Sequence, residues 1–241
     1  MRPRTGPIRG ILFDKDGTIL DYQRTWVPVN RRAALVAAGG DETLAAHLLR
    51  LGGHDPDTDR IIPGTPLAAG DYLDIARAFA AHPGMPPAEK LAPGIARIFQ
   101  EGGRESALLP GVRSTIAELK ARGFRLGIAT NDTAAGLEAS LAPHGMIDQF
   151  EFCAGCDSGY GAKPGPGMAL AFSKAVGLSP GDIAVVGDAV HDLAMGRAAG
   201  VALNVGVLCG TSAREDFDGY ADVILDSVSE MLERPEFLAD V

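Results

Sequence analysis

Asp14 and Asp16 are separated by one residue in Phe13-Asp14-Lys15-Asp16-Gly17-Thr18, after an apolar run interrupted only by Arg9 and Gly10. A carboxylate can act as a nucleophile, pass protons, or offer hard oxygen atoms to a divalent cation. The same hexapeptide also suits a solvated turn that uses Asp and Gly for its geometry. Residues further along separate the two readings. Thr130 and Asn131 follow a second apolar run. Lys163 lies in Gly161-Ala162-Lys163-Pro164. Asp188 and Asp192 follow a third, very apolar run, in Gly187-Asp188-Ala189-Val190-His191-Asp192. Two acids, a hydroxyl, a lysine and two more acids can act together if the fold collects them.

The elements between these residues would do so. Residues 8–13, 124–129, 150–154, 183–186, 201–205 and 223–225 read as short buried strands. Residues 112–122, 134–143, 166–176 and 192–199 read as helices, with a closing helix at 228–233. Apolar strands alternating with helices predict an α/β fold, a doubly wound, Rossmann-like parallel sheet covered on both faces. In such a sheet the ligand crevice lies at the carboxyl ends of the strands, where each of these polar residues falls. Residues 22–104 carry no strand signal. Two helical pairs are expected there, 30–38 with 41–51 and 67–81 with 88–99. Asp41 and Thr65-Pro66 are the start signals and Gly39-Gly40 a stop. The expected organisation is a catalytic core at 1–20 and 105–241, with an all-helical cap inserted at 21–104.

Composition narrows the function classes. The chain has 241 residues, a formal net charge of -9 and three cysteines. Phosphate-backbone binding needs clustered Lys and Arg, so nucleic acid is not the expected partner. Few and unpaired cysteines imply no disulfide framework and suit a reducing compartment. No apolar run approaches the ~18–20 residues of a membrane span, and the basic start, Met1 to Pro7, lacks a signal peptide's apolar stretch. The expectation is a cytoplasmic protein, monomer or homodimer, with a small-molecule partner and no membrane.

The polar residues also form a series. Residues 14–18, Ile128-Ala129-Thr130-Asn131, Lys163-Pro164-Gly165-Pro166, and Gly187-Asp188 with Asp192 and Ala198-Ala199-Gly200 resemble, in order, the four signature motifs of the haloacid dehalogenase superfamily. The likeness is to its phosphatase branch with a helical cap after the first motif. Residues 221–227 resemble the phosphoglycolate-phosphatase-like members. The resemblance implies Mg2+-dependent hydrolysis of a small phosphate monoester, phosphoglycolate-like or a sugar phosphate, through an aspartyl phosphate. It implies Asp14 as nucleophile and Asp16 as the acid, then the base. Asp14, the Asp16 carbonyl and Asp188 would be Mg2+ ligands, supported by Asp192. Lys163 would steady the nucleophile. Thr130, Asn131, Lys163 and Gly17 would bind the substrate phosphate, and cap closure would exclude water and select the leaving group.

The chemistry has a reason for such a set. Two unit charges ~4 Å apart repel by ~4 kcal/mol at an effective dielectric of ~20, and a phosphate dianion meeting a carboxylate roughly doubles that. Cations are therefore required. Asp16 argues against the dehalogenases, since halide needs no proton to leave. A phosphomutase would share the motifs. A response-regulator receiver, in which an aspartyl phosphate is a signal, also sets acids, a Thr and a Lys on a doubly wound sheet. Its acid pair and phosphorylated Asp lie on separate strands.

Other residues read as structural. Cys153 and Cys156 have C-x-x-C spacing without a second pair to complete a zinc site. His54 reads as solvated, whereas His191 lies inside the fourth motif and can line the cleft. The acids at 55, 57 and 59 lack the downstream Gly and Glu of a calcium loop. The arginines at 24, 31, 32, 50 and 60 read as solvated faces, Trp26 as packing at the cap hinge, and Lys15 is given no role.

Overall fold

The computed structural model describes residues 6–238, apart from the side chain of Ala69. These fall into two compact units, Met1–Asp21 with Leu108–Val241, and Tyr22–Ala107.

The first unit is built on a six-stranded, wholly parallel sheet. Its strands are β1 (Gly10–Phe13), β4 (Arg125–Ala129), β5 (Phe152–Ala154), β6 (Ile183–Gly187), β7 (Leu203–Val207) and β8 (Val223–Leu225), in the order β5-β4-β1-β6-β7-β8. After β1 the chain winds outward through β4 to β5. It then crosses back to place β6 against the other side of β1. The strand order therefore reverses between β1 and β6, the kind of point where an open α/β sheet forms its crevice. Phe13 is in register with Ile128 on one side and Val186 on the other. The residues that follow these three strands consequently emerge side by side.

Burial explains why β1 is apolar throughout. Ile11 and Phe13 face one way, into a cluster with α6 (Val112–Ala121) and α7 (Ala134–Leu141); Leu12 faces the other, towards α8 (Gly167–Val176) and α9 (Val190–Ala199). All four residues of β1 are buried. With both faces covered, β1 carries no polar side chain before it ends at Asp14. The closing segment, Val228–Glu233, is a 3-10 helix.

The second unit contains α1 (Tyr22–Ala37), α2 (Glu42–Gly52), α3 (Pro66–Ala69), α4 (Tyr72–Ala80) and α5 (Ala88–Gly103) around its own apolar cluster. It departs from the sequence expectation at several points, beginning with α1, which starts at Tyr22 and not at residue 30. A short antiparallel ladder, β2 (His54–Asp55) with β3 (Arg60–Ile61), interrupts the helices. The helix expected over residues 67–81 breaks at Gly70, because Asp71 starts a new one with a capping box to Asp74. His54 is buried, not solvated, and pairs with Asp59 through Nε2 at 2.8 Å; Arg31 bonds the same carboxylate. Trp26 is a core residue stacked on Phe99 at 5.4 Å between ring centroids. Among the described residues no helix is long and apolar enough to cross a membrane.

Candidate active site

The ends of β1 and β6 and the first turn of α9 bring Asp14, Asp188 and Asp192 into one buried cluster, which Lys163 joins. Asp14 leaves β1, tied to β6 by its backbone N–H on the Val186 carbonyl at 2.8 Å. Asp188 leaves β6, and Asp192 lies in the first turn of α9. Oxygens of these three carboxylates lie within 4.8 Å of one another, and all three residues are buried. Lys163 Nζ donates to Asp14 Oδ1 at 2.5 Å and to Asp192 Oδ1 at 2.6 Å. A hard cation takes oxygen ligands of this kind. Asp192 Oδ2 also accepts the Ala189 N–H at 3.0 Å, as an acid in the first turn of α9.

Water is nearly excluded, so charge is expensive here. Burial raises the Asp14 carboxyl from an ordinary 3.8 to about 7; Lys163 opposes the rise, and the charges of Asp192 and Asp16 add to it. Burial likewise pushes Asp188 well above the carboxylate range, reinforced by Asp14 and Asp192. For Asp192 burial works the same way, yet Lys163 and His191 hold it below its ordinary value. Burial disfavours the Lys163 ammonium, but Asp14 and Asp192 outweigh it and raise the group. Asp192 is thus the settled partner of Lys163. Asp14 and Asp188 are carboxylates short of positive charge.

Asp188 is held by residues that no motif announced. Thr211, beyond β7, donates its N–H to Asp188 Oδ2 at 2.9 Å and its hydroxyl to the same atom at 3.3 Å. A Cβ on Gly210 would lie 1.9 Å from that oxygen, so only glycine lets the loop close on it.

Gly17 and Asn131 also have structural contacts around the site. Gly17 has φ +83, and a Cβ there would lie 2.5 Å from Asp188 Oδ2. Its N–H donates to the Leu20 carbonyl at 2.8 Å, which takes that donor away from any bound phosphate. Gly17 therefore makes room for Asp188. The Asn131 side chain is also committed: Oδ1 accepts from the Lys163 N–H at 2.8 Å and Nδ2 donates to the Lys163 carbonyl at 3.2 Å. It fixes the loop that carries Lys163. Thr130 is buried at the end of β4, and its hydroxyl oxygen accepts the Asp132 N–H at 3.1 Å. Its own proton is left to donate elsewhere.

Lys15 is the largest departure. It is fully buried, with Nζ 2.7 Å from Asp16 Oδ2 and 3.1 Å from Asp132 Oδ2. Burial disfavours its charge, but those two carboxylates outweigh it and raise the group. Neither the burial of Lys15 nor Asp132 had a signal in the sequence. Cys153 and Cys156 are free thiols, Cys153 exposed.

The chain is similar to known proteins. A protein of Dickeya dadantii (strain 3937) named "Probable phosphatase IndB" is 29% identical over 230 residues, 92% of this chain and 91% of its own. The phosphoglycolate phosphatase of Shigella boydii serotype 4 (strain Sb227) is 28% identical over 245 residues, 93% of this chain and 91% of its own. A crystal structure of a CbbY mutant from Rhodobacter sphaeroides, in complex with xylulose-(1,5)bisphosphate, is 25% identical with a TM-score of 0.67, covering 93% of this chain and 96% of that one. The family model for haloacid dehalogenase-like hydrolases matches residues 8–200. That match runs from the strand delivering Asp14 to the glycine that ends the Asp192 helix, and the chain belongs to the haloacid dehalogenase-like hydrolase family.

Proposed function

We propose that the chain is a Mg2+-dependent phosphatase that hydrolyses a small phosphate monoester through an aspartyl phosphate on Asp14. The observation that carries this reading is the charge balance of the buried cluster. Three carboxylates share one ammonium, that of Lys163. With all three ionised, two negative charges are in excess where water cannot screen them. The donor set is hard oxygen, which suits Mg2+. Asp14, Asp188 and the Asp16 carbonyl would hold the ion, with Asp192 in support. When bound, it offsets the repulsion between the Asp14 carboxylate and the substrate phosphate.

The chain's own residues perform the steps. An Asp14 carboxylate oxygen attacks phosphorus, and the bond from phosphorus to the alcohol oxygen breaks. The electron pair stays with that oxygen, which takes a proton from the Asp16 carboxyl. Water then attacks the phosphorus of the aspartyl phosphate and gives its proton to the Asp16 carboxylate. The bond to Asp14 breaks, returning its carboxylate and releasing inorganic phosphate. Lys163 fixes one Asp14 oxygen and leaves the other as the nucleophile. The Thr130 hydroxyl and the loop amides donate to the phosphoryl oxygens, where charge is stabilised in the transition state. Because Asp14 and Asp16 leave the same strand, the receiver-like reading is disfavoured.

Two relatives support the substrate class, a phosphoglycolate phosphatase and a protein crystallised with xylulose-(1,5)bisphosphate. A small phosphorylated metabolite is the partner we assign, with the cytoplasm as its setting, a monomer or homodimer as the form, and leaving-group choice given to the helical unit. Incubating the purified chain with MgCl2 and a broad phosphometabolite panel should release inorganic phosphate from at least one small monoester. Phosphoryl transfer to a sugar without phosphate release, or chloride release from a haloacid, would replace this reading with the mutase or the dehalogenase.

The raised carboxyls also set a pH dependence. The folded-state value of Asp14, about 7, lies above its unfolded value of 3.8. Its contribution to stability is therefore fully present below 3.8 and is lost as pH rises through 7. Asp188 acts in the same direction. Mg2+ competes with those protons, so its apparent affinity should climb towards pH 8, by up to about tenfold per pH unit for each proton displaced. Thermal unfolding with and without 5 mM MgCl2 checks this. We expect a stabilisation of several degrees at pH 8 and much less at pH 5. Equal stabilisation at both values would place the ion elsewhere.

A further inference from the structure

Lys15 stands apart from the machinery described so far. A fully buried ammonium is tolerated only where it is paired, and Lys15 has two carboxylate partners. Asp132 is tied down: its Oδ1 accepts the Thr133 N–H at 2.7 Å, its N–H donates to Thr130 Oγ1 at 3.1 Å, and its carbonyl accepts the Cys156 N–H at 2.9 Å. The first turn of α7 also closes over it, since a Cβ on Gly136 would lie 2.3 Å from Asp132 Oδ1. Asp16 is on the loop leaving β1, with its side chain 21% exposed. Lys15 Nζ joins the two, 2.7 Å from Asp16 Oδ2 and 3.1 Å from Asp132 Oδ2. The ammonium thus links Asp16 to the rigid end of the neighbouring strand, between two acids that are both partly exposed, Asp132 at 27%.

We propose that Lys15 and Asp132 form a brace that fixes the direction of the Asp16 carboxyl, and so are positioning residues for proton delivery to the leaving group. The inference rests on the reading of Asp16 as the proton-transfer group. Proton transfer is efficient only from within hydrogen-bond reach of the accepting atom. A carboxyl free to turn spends less time in that position, although its chemistry is unchanged.

The leaving group separates this role from a merely structural one. An alkoxide needs a proton as it departs, whereas p-nitrophenolate leaves as a stable anion. The value of kcat/KM covers the steps up to that departure. The wild type, Asp16→Asn, Lys15→Met and Asp132→Asn are compared on 2-phosphoglycolate and p-nitrophenyl phosphate, each with MgCl2. Asn at 132 keeps an oxygen for the Thr133 N–H and removes only the negative charge facing Lys15.

On phosphoglycolate, Asp16→Asn should lose about 10²–10⁴-fold in kcat/KM. Lys15→Met should lose about tenfold or more, and Asp132→Asn should follow with a smaller loss in the same direction. On p-nitrophenyl phosphate all three should lose several-fold less. Mg2+ affinity by calorimetry should stay within about threefold of wild type in Lys15→Met and Asp132→Asn. Equal losses on both substrates, or none, in the two brace variants while Asp16→Asn shows the selective loss would overturn the brace alone. A large drop in Mg2+ affinity would overturn it too, since Lys15 would then act through the ligand loop. An Asp16→Asn variant without selective loss, or a wild type inert on both esters, would remove the reading of the site and the brace with it.

Discussion

Replacing Asp14 by Asn should abolish turnover while leaving the fold intact. The amide has the shape of the carboxylate but cannot attack phosphorus, so the covalent route closes. Phosphate monoester hydrolysis is among the slowest reactions without a catalyst, which leaves little background to hide behind. Loss of a nucleophile that acts as part of a unit costs about 10⁴-fold or more in kcat. Stability should move the other way. Burial already disfavours the Asp14 charge, and Asn removes it, while Lys163 keeps its bond to Asp192 at 2.6 Å. Metal-free Asp14→Asn should therefore unfold at or above the wild-type temperature at pH 8. Phosphate release under single-turnover conditions, paired with calorimetric melting, measures both. A variant retaining a tenth of wild-type turnover would end the case for Asp14 as nucleophile.

Much of this site was legible because it is built on strand ends. Residues 10–13 are buried on both faces, so the strand had to be apolar and had to stop where Asp14 begins. The same constraint marks Ile183–Gly187 ahead of Asp188. What escaped were contacts made across loops. Lys15 looks like any charged loop residue, and its burial depends on Asp132, 117 positions later in the chain by the numbering. Thr211 meets Asp188 through a loop after a different strand. No local period encodes either pairing. Gly17 and Asn131 show a subtler gap. The Gly17 N–H is engaged by Leu20 and the Asn131 side chain by the Lys163 backbone, contacts that no local spacing encodes. The ladder of His54–Asp55 with Arg60–Ile61 is too short for any alternation to register. The capping box of Asp71 with Asp74, by contrast, was readable and marks the helix start that a search for apolar spacing passes over.

Lys163→Met tests the charge balance itself. Met keeps the length and bulk of the lysine stem and removes its charge. Asp14, Asp188 and Asp192 then face one another, all buried, with no ammonium between them. Removing one partner of a buried ion pair typically costs about 3–5 kcal/mol. The carboxyls can relieve part of this by taking up protons, so the cost depends on pH. In the variant Asp192 loses the strongest influence holding its carboxyl down, and Asp14 loses the charge that opposed its rise. The added instability should be slight near pH 4 and grow as pH rises towards 8. Mg2+ should recover part of the lost melting temperature, because it supplies charge to the same oxygens. It should not recover turnover, because neither oxygen of Asp14 is then fixed for attack and the transferring phosphoryl group has lost a cation. We expect kcat to fall by about 10³-fold or more with Mg2+ saturating. Melting curves from pH 4 to 8 with and without Mg2+, alongside kcat, separate the two effects. A pH-independent loss of stability would mean that Lys163 contributes packing alone, and the charge argument for the metal would lose its footing.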